Sequence, residues 1–202
     1  MARPVDADSA ETYESIVSAA RDLLAEHGDV DSVSLRKVAA AASVSLGTIQ
    51  YYFENKNALL EACLDGYYAR LSALATRLIP ASQDPERRGR PFIEFIAREL
   101  FEFACRERAL VKLRVSTNAK RGELHPRRQV EFMGSMIQAA ATSLEPHIEL
   151  SGPPARLAIQ SVASVMSRMA VLTDSERETL TDRTGAEAQN SIVEHVVAAT
   201  LA

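Results

Sequence analysis

Tryptophan is absent from the chain, and cysteine occurs twice, at Cys63 and Cys105, each isolated within a helical pattern. That spacing suggests neither a disulfide framework nor a C-x-x-C metal site. Eight glycines and eight prolines in 202 residues are too few for a long disordered tract. No uncharged apolar run approaches 18 residues and the first fifteen residues lack an apolar h-region, so neither a membrane span nor a signal peptide is expected and a reducing cytoplasm is the natural compartment. The signatures G-x-S-x-G, G-x-x-x-x-G-K-[ST], G-x-G-x-x-G and H-E-x-x-H are all missing. His27, His125, His147 and His195 are spread singly, with no partner at metal-ligand spacing. No enzyme, cofactor or metal is therefore expected.

What is present is a globular composition, 47% apolar and 25% charged, in a chain long enough for one domain or for a small module attached to a larger one. The formal charge is −4. Residues 1–60 alone hold five Lys/Arg against nine Asp/Glu, a local balance that is itself −4.

The most specific stretch runs from Ser34 to Lys56, SLRKVAAAASVSLGTIQYYFENK. Ser34 is a good N-cap, and Leu35, Val38, Ala39 and Ala42 recur on one helical face, which predicts a helix of about two turns. Ser43-Val44 supplies the turn, and Ser45 caps a second short helix. With Ile49 at the centre of its buried face, Leu46, Tyr52 and Phe53 fall on that side or its flanks. Gly47 and Tyr51 then point outward between Thr48 and Gln50, an arrangement suited to lying against a duplex. Within Ser34–Lys56 the charge is +2, from Arg36, Lys37 and Lys56 against Glu54. Few phosphate contacts are thus on offer, and affinity would rest on dimerisation.

Residues 12 to about 62 resemble the N-terminal domain of the TetR family of transcriptional regulators. The resemblance is carried by a first helix, IVSAARDLLAEHG, a second opening at Ser34, the run VAAAASVSLGTIQYYF, and a fourth opening at NKNALLEA. The family pattern T-V-R-x-I-A-x-x-A-G-V-S-x-G-T-L-Y-x-H-F-x-x-K-x-x-L-L is matched at most positions. Ser43 stands where Gly is usual, Gln50 where Tyr is frequent, Tyr52 where His is frequent and Leu46 where a polar or basic residue is common. If position 43 needs a positive φ, Ser there costs on the order of 1 kcal/mol more than Gly.

The remaining chain reads as helices. Residues 1–8 are expected to be a short disordered lead. A first amphipathic helix from Ser9 ends near Gly28. A fourth, capped by Asn55, continues to Ile79-Pro80 and links the two modules. After a polar loop at 81–90, the residues Phe92 to Ala104 cover more than a narrow stripe, so that helix is expected to be central. Its Glu99 and Glu102 emerge at an edge or, for Glu99, reach a cavity. A helix through Leu110 and Leu113 breaks at Lys120-Arg121-Gly122, and Pro126 opens the next. Between Arg106 and Arg128 lie eight basic residues against two acids. A solvated face explains most such runs, and the sharper reading is attraction of an anionic ligand or of DNA phosphates. Pro153-Pro154 opens a striped helix, Ser175-x-x-Glu178 offers a capping box, and a second stripe follows Gly185. These stripes can form an intramolecular core or an intermolecular seam.

These readings give an all-α chain with a helix-turn-helix module at 9–56 and a larger helical module at 57–202. The candidate DNA-facing set is Ser34, Arg36, Ser45, Leu46, Gly47, Thr48, Gln50, Tyr51, Tyr52 and Lys56. The TetR resemblance implies a cytoplasmic, ligand-responsive, homodimeric regulator, most simply a repressor released from a palindromic double-stranded DNA operator by a small-molecule effector. It also implies a largely apolar effector pocket, for which Phe95, Glu99, Phe103, Leu113, Met133, Met136, Ile137, Met166 and Met169 are candidates. Pairing of the two C-terminal helices with their copies would use Ile159, Val162, Met166, Ile192, Val193 and Val196. The alternative is a helical small-molecule binding or catalytic protein with a vestigial DNA-binding module, which the acidic N-terminal region favours.

Overall fold

A computed structural model describes residues 5–28, 30–78, 80–81, 88–122 and 125–201. Among them there is no strand. The helices are α1 (Val5–His27), α2 (Leu35–Ala41), α3 (Leu46–Tyr52), α4 (Lys56–Leu78), α5 (Arg90–Arg106), α6 (Arg108–Arg121), α7 (Pro126–Arg128), α8 (Ile137–Leu144), α9 (Gly152–Ala170), α10 (Asp174–Thr181) and α11 (Gly185–Leu201). The single helix expected after Pro126 is instead interrupted by a π-helical stretch, Gln129–Met136, between α7 and α8. No described helix is long and apolar enough to cross a membrane.

Helix α1 starts at Val5 rather than Ser9, so part of the expected lead is helical. Asp8 lies in its first turn, where negative charge complements the helix dipole. It ends as expected at Gly28, which takes φ +67° and donates its N–H to the Leu24 carbonyl at 2.9 Å. Ile16, Ala20 and Leu24 of α1, Val38 and Ala39 of α2, Ile49 of α3 and Leu59 and Cys63 of α4 are all buried in one apolar cluster. That cluster fixes the N-terminal three helices against the first half of α4. Most of the expected loop 81–90, together with Ile79, lies outside the described residues.

The second half of α4 carries Tyr67, Leu71, Leu74 and Leu78 into the same continuous core, where Phe92, Phe101 and Phe103 of α5 and Leu110 and Leu113 of α6 join it. Helix α5 is central, packing against both α9 and α11. The capping box of α10 forms two residues earlier than expected, at Thr173 and Glu176 rather than Ser175 and Glu178. Glu176 N–H donates to Thr173 Oγ1 at 3.1 Å, and Thr173 N–H donates to the Glu176 carboxylate at 2.6 Å, holding that carboxyl below the usual range. The earlier start seats Leu172 in the interior and turns Arg177 inward, where it bonds Asp174 and Cys105.

Candidate nucleic-acid interface

The reading element is built from local chemistry that the sequence specifies closely. Ser34 caps α2 by accepting the Lys37 N–H at 3.3 Å, and Ser45 caps α3 by accepting the Thr48 N–H at 3.0 Å. Between them the chain turns through a Schellman motif: Val44 N–H donates to Ala39 O at 3.0 Å and Ser43 N–H to Ala40 O at 3.2 Å. This motif puts Ser43 in the left-handed region, at φ +55°, the position where the TetR pattern has Gly. Ile49 and Phe53 are buried and hold α3 against the core. The outward face then carries Gly47, Gln50 and Tyr51, with Thr48 and Leu46 half-buried beside them. Tyr51 is 82% exposed, an unusual state for an aromatic side chain without a partner molecule.

Three cations lie on the helices that precede and follow α3. Arg36 and Lys37 are exposed on α2, Lys37 reaching back to donate to Ser32 O at 2.9 Å. Lys56 opens α4, whose first turn is capped by Asn55 Oδ1 accepting the Ala58 N–H at 3.0 Å. An ammonium at the N-terminal end of a 23-residue helix is a favourable place for an anion.

Tyr52 differs from its expected neighbours on α3 in that its side chain turns inward. Its hydroxyl donates to Ser9 O at 3.2 Å and lies 3.1 Å from Ser9 Oγ, while its ring meets Tyr13, Tyr51 and Phe53. Tyr52 therefore ties α3 to the start of α1, and its outward contribution is made through Tyr51, whose ring it braces edge-on at 5.1 Å.

The basic run Arg106–Arg128 is mostly spent within the molecule. Arg108 donates to Val171 O at 2.9 Å and Arg114 to Ser167 Oγ at 2.6 Å. Arg121 pairs with Glu61 at 3.2 Å. Arg128 is 6% exposed and donates to Glu61 Oε2 at 2.7 Å, Glu61 O at 3.0 Å and Asp65 Oδ1 at 2.9 Å, with its guanidinium 5.3 Å from the Tyr68 ring centre. Burial pulls the Arg128 pKa down, but the bonds to Asp65 and Glu61 more than offset it and keep the cation charged. Farther along α4, Arg70 and Glu107 form a two-bond pair at 2.7 and 2.9 Å. Glu61 and Asp65 lie one turn apart on α4; that spacing opposite a basic run was the available sign of this clamp.

Most of the expected effector-pocket residues lie in or against the main core cluster. Phe103, Leu113, Ile137 and Met166 are buried, with Phe103, Leu113 and Met166 in the main core cluster. Phe95, Met136 and Met169 are half-buried against it. The Met133 side chain lies outside the described residues. Glu99 emerges at an edge, 4.0 Å from Arg77, and Glu102 pairs with Arg106 at 3.6 Å. Of the expected dimer-contact residues, Met166, Ile192, Val193 and Val196 close against the protomer's own core, and Ile159 and Val162 are half-buried. The apolar residues left outside on α9 are Leu157, 68% exposed, and Val165, 38% exposed.

Residues 16–63 match the model of the bacterial regulatory proteins, tetR family. The resemblance drawn from the helix-turn-helix stretch is thereby shown for the N-terminal module. No curated protein matches the chain in sequence. Among solved structures, the chain is similar to a protein from Mesorhizobium loti assigned to the TetR family of transcriptional regulators, at 20% identity and a TM-score of 0.63 over 95% of this chain and 97% of that one. It is similar to the transcriptional regulator FadR from Bacillus subtilis in complex with stearoyl-CoA, at 16% identity and a TM-score of 0.59 over 94% and 98%. A tetR-family transcriptional regulator from Streptomyces coelicolor matches at 22% identity and a TM-score of 0.61 over 95% and 80%. The likeness spans both modules, so the helix-turn-helix domain and the larger helical unit behind it form a known architecture.

Proposed function

Proceeding from a tetR-type reading module on a shared two-module fold, we propose that the chain is a ligand-responsive transcriptional regulator that acts as a dimer, in the simplest case a repressor. Residues 9–56 read DNA, and residues 57–202 bind an effector and dimerise. The observation that carries this reading is the outward face of α3, where Gly47, Gln50 and the 82%-exposed Tyr51 stand clear of the core, with the cations Arg36, Lys37 and Lys56 on the helices before and after it. Gly47 has only its own cap, Ser45 Oγ, within 4 Å of the position a Cβ would take, so a duplex backbone can approach closely there. Two such heads address successive major grooves roughly 34–36 Å apart or somewhat more. FadR in its complex with stearoyl-CoA supports effector binding by this architecture. Helix α4 is the natural lever because its first turns belong to the reading module and its later turns to the core of the larger one. Cytoplasmic location follows from the same reading.

The acidic balance of residues 1–60 favours a second reading, a helical small-molecule binding protein whose reading module is no longer used. Selection of bound duplexes from random oligonucleotides, followed by gel shift at physiological salt, separates the two. Enrichment of a palindrome held with a salt-resistant preference over random DNA supports the regulator. Binding of all duplexes alike, or of none, supports the second reading.

A further inference from the structure

Helix α3 carries the outward face, and its sequence, LGTIQYY, contains no arginine, lysine, carboxylate or asparagine. Guanine is read most often by an arginine or lysine that donates to its O6 and N7 together, and cytosine by a carboxylate that accepts from its N4 amine. Neither chemistry is present on α3. The lysines of the neighbouring helices do not supply it there: Lys37 is turned back to Ser32 O, and Lys56 stands at the start of α4. Arg36, the single arginine between Ser34 and Lys56, lies on α2, so any guanine it meets belongs to the contacts of α2 and not to those of α3.

What α3 does offer is one side-chain amide beside apolar groups. Gln50 is exposed, and its amide bonds no described residue. On an adenine edge its carbonyl accepts from N6 while its NH2 donates to N7; on guanine the same carbonyl would face the O6 acceptor. Leu46 lies one turn before Gln50, half-buried along the same edge of the helix. The Thr48 hydroxyl lies 2.9 Å from Ser45 Oγ, within the cap, which leaves its methyl to meet a base. Apolar groups of this kind complement the 5-methyl of thymine. Tyr51 ends in a hydroxyl that both donates and accepts, so it discriminates little between bases. Gly47 adds no side chain to this face, which lets the helix settle deep enough for a glutamine to reach a base edge.

We propose that α3 reads A·T pairs: Gln50 takes the major-groove edge of an adenine, and Leu46 and Thr48 take thymine methyls beside it. The proposal rests on the reading of α3 as a DNA-facing helix and gives each half-site a base class at the positions under that helix. Because Gln50 is the sole side-chain amide on α3, one base pair in each half-site should depend on residue 50 far more than the rest. Gln50 is also where the chain departs from the Tyr frequent in the TetR pattern. A phenol, with a single oxygen, cannot make the two-bond adenine contact that an amide makes.

The duplex that the full chain selects from random oligonucleotides tests this when each half-site base pair is replaced in turn by the other three, in both half-sites together. One position should prefer A·T to G·C by about tenfold or more per half-site. Gln50→Glu is close in shape and changes an exposed side chain, so the helical circular dichroism should be kept. It should weaken binding to all duplexes through its added negative charge, and it should move the preferred base at that one position from adenine to cytosine. Replacing the half-site thymines by deoxyuridine, which lacks only the 5-methyl, should weaken binding of the unmodified chain by about threefold per half-site. A preference for G·C at the position that responds to residue 50, a set of preferences that Gln50→Glu leaves unchanged, or undiminished binding of the deoxyuridine duplexes overturns the proposal while a sequence-selective regulator still stands. Binding of all duplexes alike, or of none, removes the regulatory reading and the proposal with it.

Discussion

Ser43 holds a conformation that its side chain does not favour. The Schellman turn between α2 and α3 places it at φ +55°, where a residue with a Cβ is strained by on the order of 1 kcal/mol relative to Gly. Ser43→Gly relieves that strain but widens the unfolded ensemble, so the net gain should be about 0.5 kcal/mol, read as a higher urea midpoint. A lower midpoint would show that the Ser43 hydroxyl contributes more than the backbone costs. On the reading face, positioning and specificity should separate. Lys56→Ala should weaken binding to every duplex alike and reduce the salt slope by about one per subunit, about two per dimer. Gln50→Ala should cost on the order of 1–3 kcal/mol on the selected operator and much less on random DNA. An unchanged slope for the first, or equal losses on both DNAs for the second, would exchange or remove these roles. At this scale the sequence was most informative about caps, since Ser34, Ser45 and Asn55 act within three residues of themselves. Tyr52 was less legible: its place on the flank of α3 follows from periodicity, but its bond to Ser9 spans 43 positions, which no local pattern encodes.

Among the elements, α4 carries the most consequential contacts. Arg128 spreads three donor contacts over Glu61 and Asp65, while its Nε lacks a partner. A lysine keeps the charge but cannot reproduce a planar fork that meets two carboxylates and stacks on Tyr68. Arg128→Lys should therefore lower stability by about 1–3 kcal/mol and speed hydrogen exchange in the first turns of α4 more than elsewhere. Uniform exchange rates with an unchanged denaturation midpoint would mean that the clamp does not restrain the helix. The basic run was visible in the sequence as a charge excess, but whether it faced water, a ligand or another helix depended on tertiary placement. The stripes of α9 and α11 carried the same ambiguity. A period of three to four marks a buried face without saying whose chain buries it, and here Ile192, Val193 and Val196 are buried by their own protomer. The capping box of α10 could be written in two registers, and burial of Leu172 and Arg177 favours the earlier.

For the whole molecule, the proposed dimer must use the surface that the protomer leaves open. Leu157 and Val165 stand two turns apart on the outer face of α9, so Leu157→Glu/Val165→Glu should halve the mass in light scattering while preserving the helical spectrum. Val196→Glu should instead unfold the chain, because Val196 is 4% exposed within the monomer and its replacement buries a charge. A dimeric double variant would move the interface elsewhere. The all-α class, the two modules and the linking helix were legible from hydrophobic period, caps and the TetR resemblance. The Ser9–Tyr52 contact has a further consequence, for the handling of the protein. Ser9 of α1 is moored through Tyr52 beside Tyr51, so a purification tag joined ahead of α1 would sit near the face proposed to meet the operator. A cationic tag there, such as oligohistidine below neutral pH, would add phosphate contacts of its own. Dissociation constants should therefore be compared with the tag present and cleaved, and a difference that vanishes at high salt would assign it to the tag.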